Sequence, residues 1–93
     1  MRLNKKEIEN KLRQLSRWQL QGKAIGAEFQ FSDFPEAIRF VNRVADVAEA
    51  LNHHPDICIY YNRVVISVFT HSEDGITEKD FTLAEQINQL LQQ

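Results

Sequence analysis

Cysteine occurs once in this 93-residue chain, proline twice and glycine three times. A lone cysteine, Cys58, excludes an internal disulfide and fits a reducing compartment. Scarce glycine and proline leave no flexible or proline-rich linker, and no repeat or low-complexity stretch appears, so residues 1–93 read as a single domain. No apolar run approaches the roughly 18–20 residues that cross a bilayer. The opening MRLNKKEIEN is charged and has no apolar signal core. The expectation is therefore a cytoplasmic protein with no membrane partner. An excess of one charge is also missing. Eleven basic residues face 13 acidic ones, a net charge of −2, which gives no electrostatic footprint for nucleic acid. The basic residues near the start (Lys5, Lys6, Lys11, Arg13, Arg17) are interleaved with Glu7 and Glu9, as on a solvated helix face.

What is present is an ordinary globular composition, 43% hydrophobic and 26% charged. A chain of this size buries roughly 60–65% of its unfolded surface, enough for one modest core. Asn4 to Leu15 reads as a helix. Asn4 caps it, Glu7 completes a capping box, Leu3 and Ile8 can staple its start, and Ile8, Leu12 and Leu15 recur at helical spacing. Trp18–Leu20 and Ala24–Phe31 read as strands around a turn at Gly22; Ile25, Ala27, Phe29 and Phe31 alternate with Gly26, Glu28 and Gln30. In SDFPEAIRFVNRVADVAEALN, Asp33 caps a second helix, Pro35 suits its first turn, and Phe34, Ala37, Ile38, Val41, Ala45 and Ala48 read as one apolar stripe. Pro55 disfavours helix at the residue before it, so this helix should stop near Asn52.

Asp56–Tyr61 and Val64–Thr70 are rich in β-branched and aromatic residues and read as a hairpin turning at Asn62-Arg63. Thr77 caps a last helix, with Asp80 in the position of a capping-box acid. The order αββαββα predicts an α+β fold, a four-stranded antiparallel sheet with three helices on one face. The other face would carry Cys58, Tyr60, Val65 and Phe69 with no helix to cover them, which suggests a subunit contact.

All three histidines, His53, His54 and His71, fall within one segment. With the turn at Asn62-Arg63, Tyr61 pairs with Val64, Ile59 with Ile66 and Ile57 with Val68. Extended, that register sets Pro55 opposite Thr70 and His54 opposite His71. Glu49 lies four residues before His53 and shares its face if the helix persists that far. Three histidines can hold a catalytic zinc. Here adjacent histidines diverge and no cysteine or spaced-pair pattern supports a metal, so none is expected. Cys58, mid-strand, reads as a small interior or interface hydrophobe. Ordinary surface histidines are the bland alternative. The sharper reading is acid–base chemistry, because histidine exchanges protons near neutrality.

Glu49-x-x-x-His53-His54-Pro55, followed by Tyr61, His71 and Asp80, resembles the signature of the pterin-4a-carbinolamine dehydratases. Trp18, FSDF, RVA at 43–45 and YNRV at 61–64 extend the resemblance from about Trp18 to the end. The stretch DICI, where several members carry a large aromatic, and the acidic loop HSEDGI depart from it. The resemblance implies the same αββαββα fold, assembled as homodimers or homotetramers. It implies a lyase that removes water from 4a-hydroxytetrahydropterin to give quinonoid dihydropterin, with the pterin as substrate and no cofactor. By resemblance, His53 and His71 are the acid–base pair, Glu49 supports His53, and Asp80 supports His71 or the loop. His54, Pro55 and Thr70 bind or shape the substrate site. Two alternatives stay open: a dimerisation module for a transcription regulator, and an enzyme acting on a molybdopterin-type pterin.

Overall fold

The computed structural model describes residues 1–92. Its elements are α1 (Lys5–Arg13), β1 (Gln19–Gln21), β2 (Ala24–Gln30), α2 (Phe34–Leu51), β3 (Asp56–Tyr60), β4 (Arg63–Val68) and α3 (Glu78–Leu90), with one 3-10 turn at His71–Glu73. This is the expected αββαββα order, and the antiparallel sheet runs β1-β2-β4-β3.

Local chemistry starts each helix. The Asn4 side chain accepts from the Glu7 N–H, and the Glu7 carboxylate accepts from the Asn4 N–H, both at 2.8 Å. Asp33 accepts from the Glu36 N–H at 2.9 Å, with Pro35 inside the first turn of α2. Thr77 and Asp80 form the capping box of α3. At its other end α2 closes on Asn52 in the left-handed region (φ 53°, ψ 42°), one residue before the histidine pair.

Period-two alternation sorts the sheet. Ile25, Ala27 and Phe29 of β2 and Val64, Ile66 and Val68 of β4 are buried, and they meet Ala37, Phe40, Val44 and Ala48 of α2 and Leu83, Ala84 and Ile87 of α3 in one core. Trp18 closes that core beside Phe29, and its indole N–H donates to Asn88 Oδ1 at 2.9 Å. The outer face has no helix. Cys58 and Tyr60 are exposed there, while the Arg63 guanidinium lies 4.5 Å from the Tyr60 ring centre and 3.3 Å from Glu28. No helix among the described residues is long and apolar enough to cross a membrane.

The β3–β4 turn differs from the sequence expectation. The turn residues are Tyr61 and Asn62, not Asn62 and Arg63, so Tyr60 pairs with Arg63, Ile59 with Val64 and Ile57 with Ile66. Phe31 supplies the reason. Its N–H donates to the Asn62 carbonyl at 2.8 Å, and Asn62 Nδ2 donates to the Phe31 carbonyl at 2.9 Å. Asn62 is thereby clamped to the end of β2, and Tyr61 takes the positive φ (55°). Each partner moves by two residues. Two is the side-chain period, so no residue changes face.

Ile66 is fully buried between sheet and helices, whereas Ile59 on edge strand β3 is 36% exposed. Ile66→Ala should therefore cost about 2–5 kcal/mol of unfolding free energy. Ile59→Ala should cost less than half as much. Urea denaturation of both variants checks the difference; equal losses would contradict the weaker coverage of the inward face at edge strand β3.

Candidate active site

The end of α2, the start of β3, the segment after β4 and the first turn of α3 meet at one end of the sheet. They line a cleft of about 470 Å³ that includes His53, His54, Pro55, Asp56, Thr70, His71, Ser72 and Lys79. All three histidines line it, as the sequence suggests, although with a different register. Continuing the observed pairing sets His53, rather than Pro55, opposite Thr70.

Asp80 organises this end of the molecule. Its side chain is 0% exposed and receives three hydrogen bonds. Oδ1 lies 2.6 Å from His53 Nε2, and Oδ2 accepts from the Thr70 hydroxyl at 2.9 Å and from the Thr77 N–H at 2.8 Å. Donor counting then fixes the threonine pair. Thr70 has one hydroxyl hydrogen and gives it to Asp80, so across the 2.8 Å contact Thr77 donates to Thr70. Thr77 Oγ1 accepts in turn from the Lys79 N–H at 3.2 Å. The chain of donors ends on the one buried carboxylate.

Asp80 thus has both of the roles between which its sequence position left a choice. Through Oδ2 it is the capping acid of α3; through Oδ1 it holds a histidine. That histidine is His53 rather than His71, while the loop, the other expected partner, is held at Thr70 and Thr77. Glu49 is likewise displaced, since its Oε2 contacts His54 Nε2 at 2.5 Å rather than supporting His53. The cause is the helix end. Asn52 turns left-handed, so the chain leaves α2 before residue 53 and the i, i+4 relation of Glu49 to His53 is lost. His53 swings under α3 towards Asp80, and His54 falls back beside Glu49.

The three imidazoles therefore differ. The His53 side chain is 12% exposed and its Nε2 is committed to Asp80, which leaves Nδ1 to face other partners. His54 is more than half exposed, as is Glu49. His71 sits in the 3-10 turn, its ring 4.1 Å from that of Phe69, and it makes no hydrogen bond from either ring nitrogen among the described residues. Thr70, expected to touch substrate, is buried and spends its hydroxyl on Asp80 and Thr77. Pro55 lines the cleft as expected. Tyr61, part of the sequence signature, sits in the β3–β4 turn at the opposite end of β3. Sequence reasoning missed Asp56, Ser72 and Lys79 as lining residues. Their only signal is adjacency to Pro55, His71 and Asp80. Among the described residues, no group of three or more His, Cys, Asp or Glu side chains is arranged to hold a metal.

The model of the family described as pterin 4 alpha carbinolamine dehydratase matches residues 1–90. A protein of Acidobacterium capsulatum is 49% identical over 96% of this chain and 97% of its own length, and one of Sulfurisphaera tokodaii is 46% identical over 97% of each. Both carry the name "Putative pterin-4-alpha-carbinolamine dehydratase". The crystal structure of a Brucella melitensis protein, described as a transcriptional coactivator/pterin dehydratase, superposes with a TM-score of 0.91 at 42% identity, covering 96% of this chain and 97% of that one. A pterin dehydratase-like protein described as a RuBisCO assembly factor shares the fold, with a TM-score of 0.65 at 20% identity over 80% of this chain and 86% of that one.

Asp80→Ala should destabilise the protein by about 3–5 kcal/mol, because buried donors lose their acceptor. Asp80→Asn keeps the shape and one acceptor oxygen and should cost clearly less. Chemical denaturation checks the order of the two; equal stability of Asp80→Ala and wild type would show that the buried carboxylate does not organise this end.

Proposed function

Because this chain belongs to the pterin 4 alpha carbinolamine dehydratase family, we propose that it removes water from a 4a-hydroxytetrahydropterin by acid–base catalysis between His53 and His71. The observation that carries this reading is the fixing of His53 by buried Asp80 beside a cleft that His71 also lines. A cleft of about 470 Å³ is of a size to take a bicyclic pterin.

Dehydration needs two proton movements. The C4a–O bond breaks and the hydroxyl leaves as water, taking a proton from an acid. N5 gives its proton to a base, and the N5–C4a double bond of the quinonoid dihydropterin forms. Proton transfer by a positioned side chain contributes roughly 10²–10⁴-fold. His53 suits the base. With Nε2–H donating to Asp80, Nδ1 carries the free lone pair, and the imidazolium that forms on proton uptake lies against a carboxylate. His71 suits the acid, since its ring nitrogens make no protein hydrogen bond among the described residues and the ring is steadied by Phe69. His54, backed by Glu49, orients the ring system. Asp80 is a positioning residue that acts through His53. Pro55 shapes the cleft wall, and Thr70 acts through the Asp80 network.

The pterin is the substrate, and this scheme calls on no cofactor or metal. We infer a role in tetrahydropterin recycling in the cytoplasm. The uncovered sheet face with Tyr60, Cys58 and Val65 is the surface on which we infer self-association, as a homodimer or homotetramer.

The test is the dehydration rate of freshly generated 4a-hydroxytetrahydropterin. Wild type should accelerate it, and His53→Ala and His71→Ala, each confirmed as folded, should each lose at least about tenfold in kcat/KM. Asp80→Asn should lose rate with KM little changed, because it disturbs the orientation of His53 and not the cleft wall. No acceleration by folded wild type would overturn the reading and favour an interaction role, of the coactivator kind ascribed to the Brucella melitensis relative.

A further inference from the structure

Lys79 is the one lysine or arginine lining the cleft, and its ammonium has no partner among the described residues. Carboxylates near it are taken. Glu78 pairs with Lys11 at 2.8 Å, Asp80 holds His53, Glu49 meets His54, and Glu73 lies 3.4 Å from the amino terminus. Asp56, the remaining acid of the cleft, enters from β3 and makes no ion pair with Lys79. Position sharpens the point. Lys79 is the second residue of α3, where the helix field disfavours a cation and favours an anion. An unpaired ammonium there gains nothing from its own helix. Ser72, with a hydroxyl, borders both the cleft and an adjoining hollow of about 230 Å³ that Lys79 also lines, with Glu73 and Glu78 there each held in an ion pair of its own. The cleft thus continues past the histidines along a wall that offers a donor hydroxyl and a free positive charge.

Resting on the dehydratase reading, we propose that Lys79 is a specificity residue that selects pterins whose side chain carries an anionic group, a phosphate ester or a carboxylate. Asp56 suits the N–H donors of the aminopyrimidine edge. The ring's acceptors and the histidines leave Lys79 to the opposite charge on the side chain. The ammonium is exposed, so its effect is moderate and sensitive to salt.

The experiment compares 4a-hydroxytetrahydropterins with a neutral polyhydroxyalkyl, a phosphorylated and a glutamylated side chain, together with binding of the matching oxidised pterins by fluorescence titration. Wild type should favour at least one anionic form by roughly tenfold in KM and in Kd, about the worth of one charge-assisted contact, and which form it favours identifies the anion. Raised ionic strength should shrink the preference. Lys79→Gln should bring the anionic-to-neutral ratio to about one, and Lys79→Arg should keep it. Equal affinity of wild type for all three, or a preference that survives Lys79→Gln, would overturn the proposal. A protein that turns over none of the pterins yet binds an anionic one through Lys79 would refute the dehydratase reading and leave the anion subsite standing.

Discussion

A carboxylate with no exposed surface must be matched by donors, because an unpaired buried charge costs several kcal/mol. Asp80 meets this demand with donors from three separate parts of the chain: the loop after α2, the loop after β4 and the cap of α3. Each donor is thereby tied to the others at one point. Removing Asp80 would free the start of α3 and would leave His53 without the acceptor that fixes its ring plane. The capping of a helix and the aiming of a side chain are here one set of hydrogen bonds. Stability and site geometry at this end of the sheet therefore cannot vary independently.

That coupling explains which features were legible in the sequence. Caps are local. Asn4 with Glu7, Asp33 with Glu36 and Thr77 with Asp80 each lie within a single turn, and each forms as the sequence pattern suggests. Periodicity is local too, so the inward faces of β2 and β4 were readable; on α2 only part of the expected stripe is inward, because Phe34 and Ala45 are exposed while Phe40 and Val44, left out of it, are buried in the core. The β3–β4 register was not, because it depends on Phe31, some 31 residues away from the Asn62 that it clamps. The partners of Glu49 and Asp80 were misplaced for a related reason. The spacing of Glu49 from His53 presumes a continuous helix, and the left-handed Asn52 breaks it. The histidines still converge because a two-residue slip preserves faces and because every histidine lies near one end of the sheet. Their pairing did not survive, because pairing is set by tertiary contacts.

The three imidazoles are chemically unequal although the sequence shows them as one cluster. His53 is oriented by a buried anion, His54 by an exposed one, and His71 by an aromatic ring. An ion pair in water contributes little and is screened by salt. The Glu49–His54 contact therefore stabilises one ring position only weakly. The Asp80–His53 contact is shielded and backed by two further hydrogen bonds, so it holds one ring position firmly. A reaction that needs a base of fixed direction and an acid free to give up and regain its proton finds both in this set.

The same reasoning bears on what the site can discriminate. In the proposed reaction the histidines would act on the C4a–N5 end common to every carbinolamine of this class, so they would not distinguish one pterin from another. Discrimination must come from wall residues that do no proton transfer. The carboxylates behind the wall are already engaged within the protein: Glu49 by His54, Asp80 by its three donors. Asp56 and Lys79 are what remain, one of each sign on different elements. Neither forms an ion pair among the described residues, and Lys79 opposes the field of its own helix. Charges that face a cleft without an ion-pair partner in the protein have their main energetic consequence in what the cleft binds.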